Sequence, residues 1–150
     1  MNSGVAFVFP GQGSQSVGMG KALYEAHPEL KQVYEEASQV LGYDISALCF
    51  TGPAETLNLT EHTQPALLVS SLAALRALDA TTMTPAAVAG HSLGEYTALV
   101  AAGGLAFRDA VGVVQKRGRY MAEAVPAGTG SVAALLGLDA DAVRQACRED

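Results

Sequence analysis

A chain of 150 residues, 49% hydrophobic and 16% charged, is long enough for one domain with its own core and too apolar for a disordered tail. A net charge of -6 and a pI near 4.9 argue against non-specific binding to nucleic acid or to a membrane surface, because neither polyanion is drawn to an acidic surface. Cys49 and Cys147 lie far apart with no CxxC pair and no His/Cys cluster, so neither a metal site nor a disulfide framework is expected.

Both cysteines read as buried small residues of a reducing compartment. With no signal-peptide pattern and no apolar run of membrane-spanning length, the expected location is cytoplasmic. Residues 5–9 form a continuous apolar run stopped by Pro10, the pattern of a strand buried in a parallel sheet. Pro10-Gly11-Gln12-Gly13-Ser14-Gln15 then reads as a tight loop able to aim a backbone amide into a site. Helical patterning covers residues 18–26 and 28–41, with Pro28 suited to a first turn and Gly42 to a stop. A short helix over 44–50 leads to a turn at Gly52-Pro53. From 63 to 78 the chain is apolar on nearly every side, as a buried helix would be.

Residues 86–90 are a short apolar strand, and Gly90-His91-Ser92-Leu93-Gly94 leads from it into a helical stretch over 97–102. Gly-x-Ser-x-Gly between strand and helix is the pattern of a nucleophile elbow. Its glycines let the two elements approach closely while the turn lifts the serine hydroxyl clear. Ser92 is the candidate nucleophile. Amides at the start of the next helix lack intrahelical partners, which makes the Leu93 amide the natural oxyanion donor.

Gly103-Gly104 breaks the chain, and residues 107–125 read as a long helix ended by Pro126 and Gly128. On a helical wheel Val111, Val114, Gly118, Met121 and Val125 share one face, with Arg108, Asp109, Lys116, Arg119 and Glu123 opposite. Arg117 falls at the edge of the apolar sector. Two readings stay open there: its stem reaches out to water, or its guanidinium serves a carboxylate in a pocket. After Gly130 a strand over 131–138 and a helix from Asp139 look like the opening of a second, smaller unit.

Four separated motifs carry a resemblance that covers essentially the whole chain: Phe9-Pro10-Gly11-Gln12-Gly13-Ser14-Gln15, Gln64-Pro65-Ala66, Gly90-His91-Ser92-Leu93-Gly94-Glu95-Tyr96 and Lys116-Arg117-Gly118. In order and spacing they resemble the malonyl-CoA:acyl-carrier-protein transacylases of type II fatty-acid synthesis. The resemblance implies an α/β fold, with an α/β-hydrolase-like large subdomain built on a parallel sheet. Residues 1–127 would be part of it, and 128–150 would be the first strand and helix of a small ferredoxin-like subdomain.

The same resemblance implies that Ser92 becomes malonylated, that the amides of Gln12 and Leu93 form the oxyanion hole, and that Arg117 grips the malonyl carboxylate. Gln64 and His91 are expected to line the pocket. Malonyl-CoA and acyl carrier protein are the implied partners, with no metal and no cofactor beyond the phosphopantetheine that the carrier brings. Family members continue past residue 150 and hold their general-base histidine there, so the chain reads as an N-terminal portion, inactive alone. Of the histidines present, His91 precedes the nucleophile and projects in another direction, while His27 and His62 read as surface residues. Competing readings are a polyketide-synthase-type acyltransferase, a serine esterase with the same elbow, or a carrier-protein-binding piece.

Overall fold

The computed structural model describes residues 4–78, 84–125, 129 and 135–148. Strand β1 (Ala6–Phe9) pairs in parallel with β2 (Ala87–Gly90), Phe9 standing opposite Gly90. A parallel pair needs a long crossover. Here it contains α1 (Lys21–Ala26), a 3-10 turn (Pro28–Leu30), α2 (Lys31–Leu41), α3 (Ile45–Thr51), α4 (Ala54–Leu57) and α5 (Thr60–Ala77). Helices α6 (Gly94–Ala101), α7 (Phe107–Ala124) and α8 (Ala140–Ala146) follow β2. The chain is therefore α/β with a parallel sheet, as the resemblance implies.

Local chemistry explains most boundaries. Gly42 ends α2 in the left-handed conformation at φ 79°, the usual glycine stop. Asp44 caps α3 by accepting from the Ala47 amide, and Asp139 caps α8 by accepting from Asp141 and Ala142 amides. Helix α1 starts at Lys21 rather than 18, because Gly18 and Gly20 both take positive φ. Helix α5 starts at Thr60, three residues before the expected 63, and α4 was not anticipated.

The core lies among helices. Tyr34 of α2, Ile45 of α3, Leu68 and Val69 of α5, and Val111 and Val114 of α7 are all nearly or fully buried in one cluster. Helix α5 is buried over most of its circumference, including Gln64, Pro65 and Ala66. On α7, Val111, Val114 and Gly118 are buried as the wheel predicts and Arg108, Asp109, Lys116, Arg119 and Glu123 are exposed.

Several expectations need correction. Val8 is 73% exposed and only Phe9 of β1 is buried, because the described sheet is two strands wide and leaves Val8 uncovered. Met121 and Val125 are exposed, α7 having run past the helices that cover Val111 and Val114. Cys147 is exposed on the turn after α8, unlike buried Cys49. His62 is half-buried rather than superficial, its ring set edge-on to Tyr43 at 5.1 Å between centroids. Of the strand expected over 131–138, residues 131–134 lie outside the described residues, and 135–138 are not strand.

Candidate active site

The elbow is visible in the backbone. Ser92 is the one described non-glycine residue with a positive φ, 53°, a conformation that an ordinary side chain adopts only where the surroundings impose it. Those surroundings are close backbone contacts: a Cβ at Gly90 would sit 1.9 Å from the Gly94 carbonyl carbon, and one at Gly94 would sit 2.3 Å from the Phe9 oxygen. Strand, turn and helix therefore meet at separations that only glycine permits. The Ser92 side chain is left exposed on this turn, at the carboxyl ends of both parallel strands.

The same meeting brings the loop after β1 beside the elbow. The His91 amide donates to the Phe9 oxygen at 3.1 Å, continuing the pairing of β1 and β2 past their ends. Gln12 and Leu93 lie in the two turns that follow these strand ends. Among the described residues, no backbone hydrogen bond engages the amide of either one. His91 is exposed, and its Nδ1 lies close over Gly11, which puts the ring between the two loops.

Arg117 reaches the site from α7. Its Nη2 donates to Ser92 Oγ at 3.1 Å and its Nη1 to Gln64 Oε1 at 2.7 Å. The guanidinium carbon lies 5.7 Å from the centre of the Tyr96 ring, within cation–π range. Of the two readings left open by the wheel, the guanidinium turns inward. Gln64 is fully buried in α5, and its Nε2 donates to Met121 Sδ at 3.3 Å, so its amide is fixed at both ends.

A hydroxyl oxygen has two acceptor positions and one proton. Ser92 Oγ uses an acceptor position for Arg117, so its proton stays available to a base. Among the described residues neither His27, His62 nor His91 bonds to Ser92 Oγ: His27 Nδ1 pairs with Glu29 at 3.1 Å, and His62 faces Tyr43 and Glu61. Cys49, the buried thiol, is no rival nucleophile. Burial pushes its pKa up to about 11 despite a hydrogen bond from Ser70, which leaves it protonated near neutral pH.

Tyr96 and Met121 are site contacts that sequence reasoning passed over. Tyr96 stands in the first turn of α6, and its ring meets Arg117, 21 residues later, a partner that no local pattern names. Met121 stands four after Arg117 on α7, on the helix face shared with Val111 and Val114. Among the described residues, no group of three His, Cys, Asp or Glu side chains could hold a metal ion, and no helix is long and apolar enough to cross a membrane.

In sequence and in overall fold the chain is similar to known proteins. Residues 6–150 match the family described as acyl transferase domain. The malonyl CoA-acyl carrier protein transacylase of Bacillus subtilis is 56% identical over 143 residues, which cover 95% of this chain and 45% of that protein. The crystal structure of an acyl carrier protein S-malonyltransferase from Vibrio cholerae superposes with a TM-score of 0.87 at 51% identity, covering 98% of this chain and 48% of that one. A malonyl-transacylase solved in complex with a type II PKS acyl-carrier protein gives a TM-score of 0.89 at 50% identity, with the same coverage of each chain. The chain spans about half the length of the curated relatives it matches.

Proposed function

The chain belongs to the acyl transferase domain family, and from that premise we propose that it carries the nucleophile and acyl pocket of an enzyme moving malonyl groups from malonyl-CoA to acyl carrier protein in fatty-acid synthesis. Ser92 Oγ attacks the malonyl thioester carbonyl, the carbon–sulfur bond breaks and CoA departs, leaving a malonyl-Ser92 ester. The phosphopantetheine thiol of the carrier then attacks that ester; a new carbon–sulfur bond forms, the ester carbon–oxygen bond breaks, and the thiol proton passes through the general base to Ser92 Oγ. Covalent transfer suits the task because one site serves two bulky thiol carriers in turn.

Within this reading the Gln12 and Leu93 amides receive the oxyanion of both tetrahedral intermediates, each such donor being worth about 10²- to 10³-fold in rate. The Ser92 proton goes to a general base and from it to the departing CoA sulfur, and a histidine outside residues 1–150 fills that role. Gln64 and His91 line the acyl pocket. Residues 1–127 belong to an α/β-hydrolase-like large subdomain, and 128–150 begin a ferredoxin-like small one. The enzyme works in the cytoplasm without a bound cofactor.

One observation carries the choice of acyl group: the Arg117 guanidinium stands within hydrogen-bond reach of Ser92 Oγ. In malonyl thioesters a single methylene separates the free carboxylate from the reacting carbonyl. A planar cation this near the nucleophile is therefore placed to take that carboxylate through two parallel hydrogen bonds. A general esterase has no use for a cation there. Intact-protein mass spectrometry after mixing with malonyl-CoA tests the assignment: the full-length protein should gain a malonyl group and its Ser92→Ala variant should not. An adduct that persists in the variant moves the nucleophile elsewhere.

A further inference from the structure

Thr60, the first residue of α5, faces two ways. Its Oγ1 accepts from Gln12 Nε2 at 3.0 Å. Its carbonyl oxygen lies against α7 at Gly118, where a Cβ would come within 2.8 Å of that oxygen and 2.7 Å of Glu61 Cα. A second tether runs beside the first: Gln15 accepts from the Gly13 amide through Oε1 at 2.8 Å and donates through Nε2 to Asn58 Oδ1 at 2.9 Å. The loop bearing Gln12 is thus tied on both sides of Gly13 to the short stretch from Asn58, the cap of α4, to Thr60, the start of α5.

We propose that this start of α5 is a spacer between the oxyanion hole and the carboxylate anchor, with Thr60 a positioning residue for Gln12 and Gly118 a positioning residue for Arg117. The inference rests on the acyl-transfer reading above. A loop with glycines at 11 and 13 has many backbone states open to it, so an amide inside it is aimed only if the loop is tied elsewhere. Gln64, one turn into α5, reaches Arg117 Nη1 at 2.7 Å because α7 approaches α5 without a side chain at 118. One helix end therefore sets two parts of the site with different duties. The oxyanion amide serves any acyl group, whereas the arginine serves only carboxylated ones.

That division of duties gives the test, done on the full-length protein with malonyl-CoA and acetyl-CoA. Thr60→Val keeps the side-chain shape and removes the acceptor. It should lower kcat for both substrates by the same factor, roughly 3- to 10-fold on the scale of one hydrogen bond, with KM unchanged. Thr60→Ser should restore the rate. Gly118→Ala should raise KM for malonyl-CoA more than for acetyl-CoA and so shrink the preference for malonyl over acetyl. An unchanged kcat in Thr60→Val, no restoration in Thr60→Ser, or equal malonyl and acetyl losses in Gly118→Ala overturns the spacer. If Gly118→Ala does not fold, the two Thr60 variants decide alone. A wild-type chain that forms no malonyl-Ser92 adduct overturns the acyl-transfer reading and the spacer together, whereas a normal adduct with indifferent Thr60 variants overturns the spacer only.

Discussion

Around the elbow, β1, β2 and α6 bury few side chains completely: Phe9 on β1, none on β2, Leu93 in the turn, Thr97 and Ala98 on α6. Among α2, α3, α5 and α7 the opposite holds, with Tyr34, Ile45, Leu68, Val69, Val111 and Val114 nearly or fully enclosed. The elbow keeps its shape through backbone against backbone at Gly90 and Gly94, the helical layer through side-chain burial. The catalytic turn and the core are therefore held by different kinds of contact. Arg117 and Gln64 link the two, since both sit on core helices, Arg117 reaching the nucleophile and Gln64 holding Arg117.

The largest test of that separation is Gly90→Ala. Its new methyl would overlap the Gly94 carbonyl and the Glu95 nitrogen, all of them backbone that a rotamer change cannot relieve. The expected loss exceeds about 4 kcal/mol in denaturant unfolding, the exceptional end of single substitutions. A soluble variant that still gains malonyl at the wild-type rate would show that the elbow tolerates what its contacts forbid.

Next in size is Leu68→Ala, fully buried at the middle of α5. Loss of transfer energy together with the cavity left behind should cost about 2–5 kcal/mol of stability. At a temperature where the variant is still folded, the rate of Ser92 malonylation should match the wild type. A folded variant with a slowed rate would mean that the helical core also sets the chemistry.

Arg117→Ala crosses the boundary between the layers. It should cost roughly 1.5–3 kcal/mol of malonyl recognition, the scale of a hydrogen bond to a charged group. Read as kcat/KM, the loss should fall on malonyl-CoA and spare acetyl-CoA. Equal losses on both would reduce Arg117 to a structural prop for Gln64 and Ser92.

How much of this was legible in the sequence follows the same division. Signals that act within a few residues were readable: the stop at Gly42, the buried run of α5, and the glycines that permit the Ser92 turn. Signals that depend on remote partners were not. A wheel of α7 could place Arg117 at the edge of an apolar face, but what turns it inward is Gln64, 53 residues earlier. The role of Thr60 was hidden for a related reason. Both its contacts, Gln12 and Gly118, lie 48 or more residues away, and the helix it opens was expected to start at 63. The half-buried state of His62 likewise depends on Tyr43, which no local pattern pairs with it.

The smallest test concerns a cap in the helical layer, where charge rather than burial does the stabilising. Asp44 accepts from Ser46 Oγ at 2.6 Å and from the Ala47 amide at 3.0 Å, and these bonds, the Ser46 one foremost, hold its carboxyl below the ordinary range. A carboxylate whose folded pKa is depressed contributes stability that is present above its unfolded pKa, near 3.9, and lost as pH falls through the lower folded value. Asp44→Ala should therefore cost about 1 kcal/mol at neutral pH, the usual worth of an N-cap. Because Asp44 is largely solvent-exposed, salt should screen part of its charge interactions. Unfolding followed from pH 7 downward should show the two proteins converging below about pH 4 as the carboxylate takes up its proton. A gap that stays constant across that range would assign the effect to the helical preference of the residue at 44, and the cap would then owe nothing to its charge.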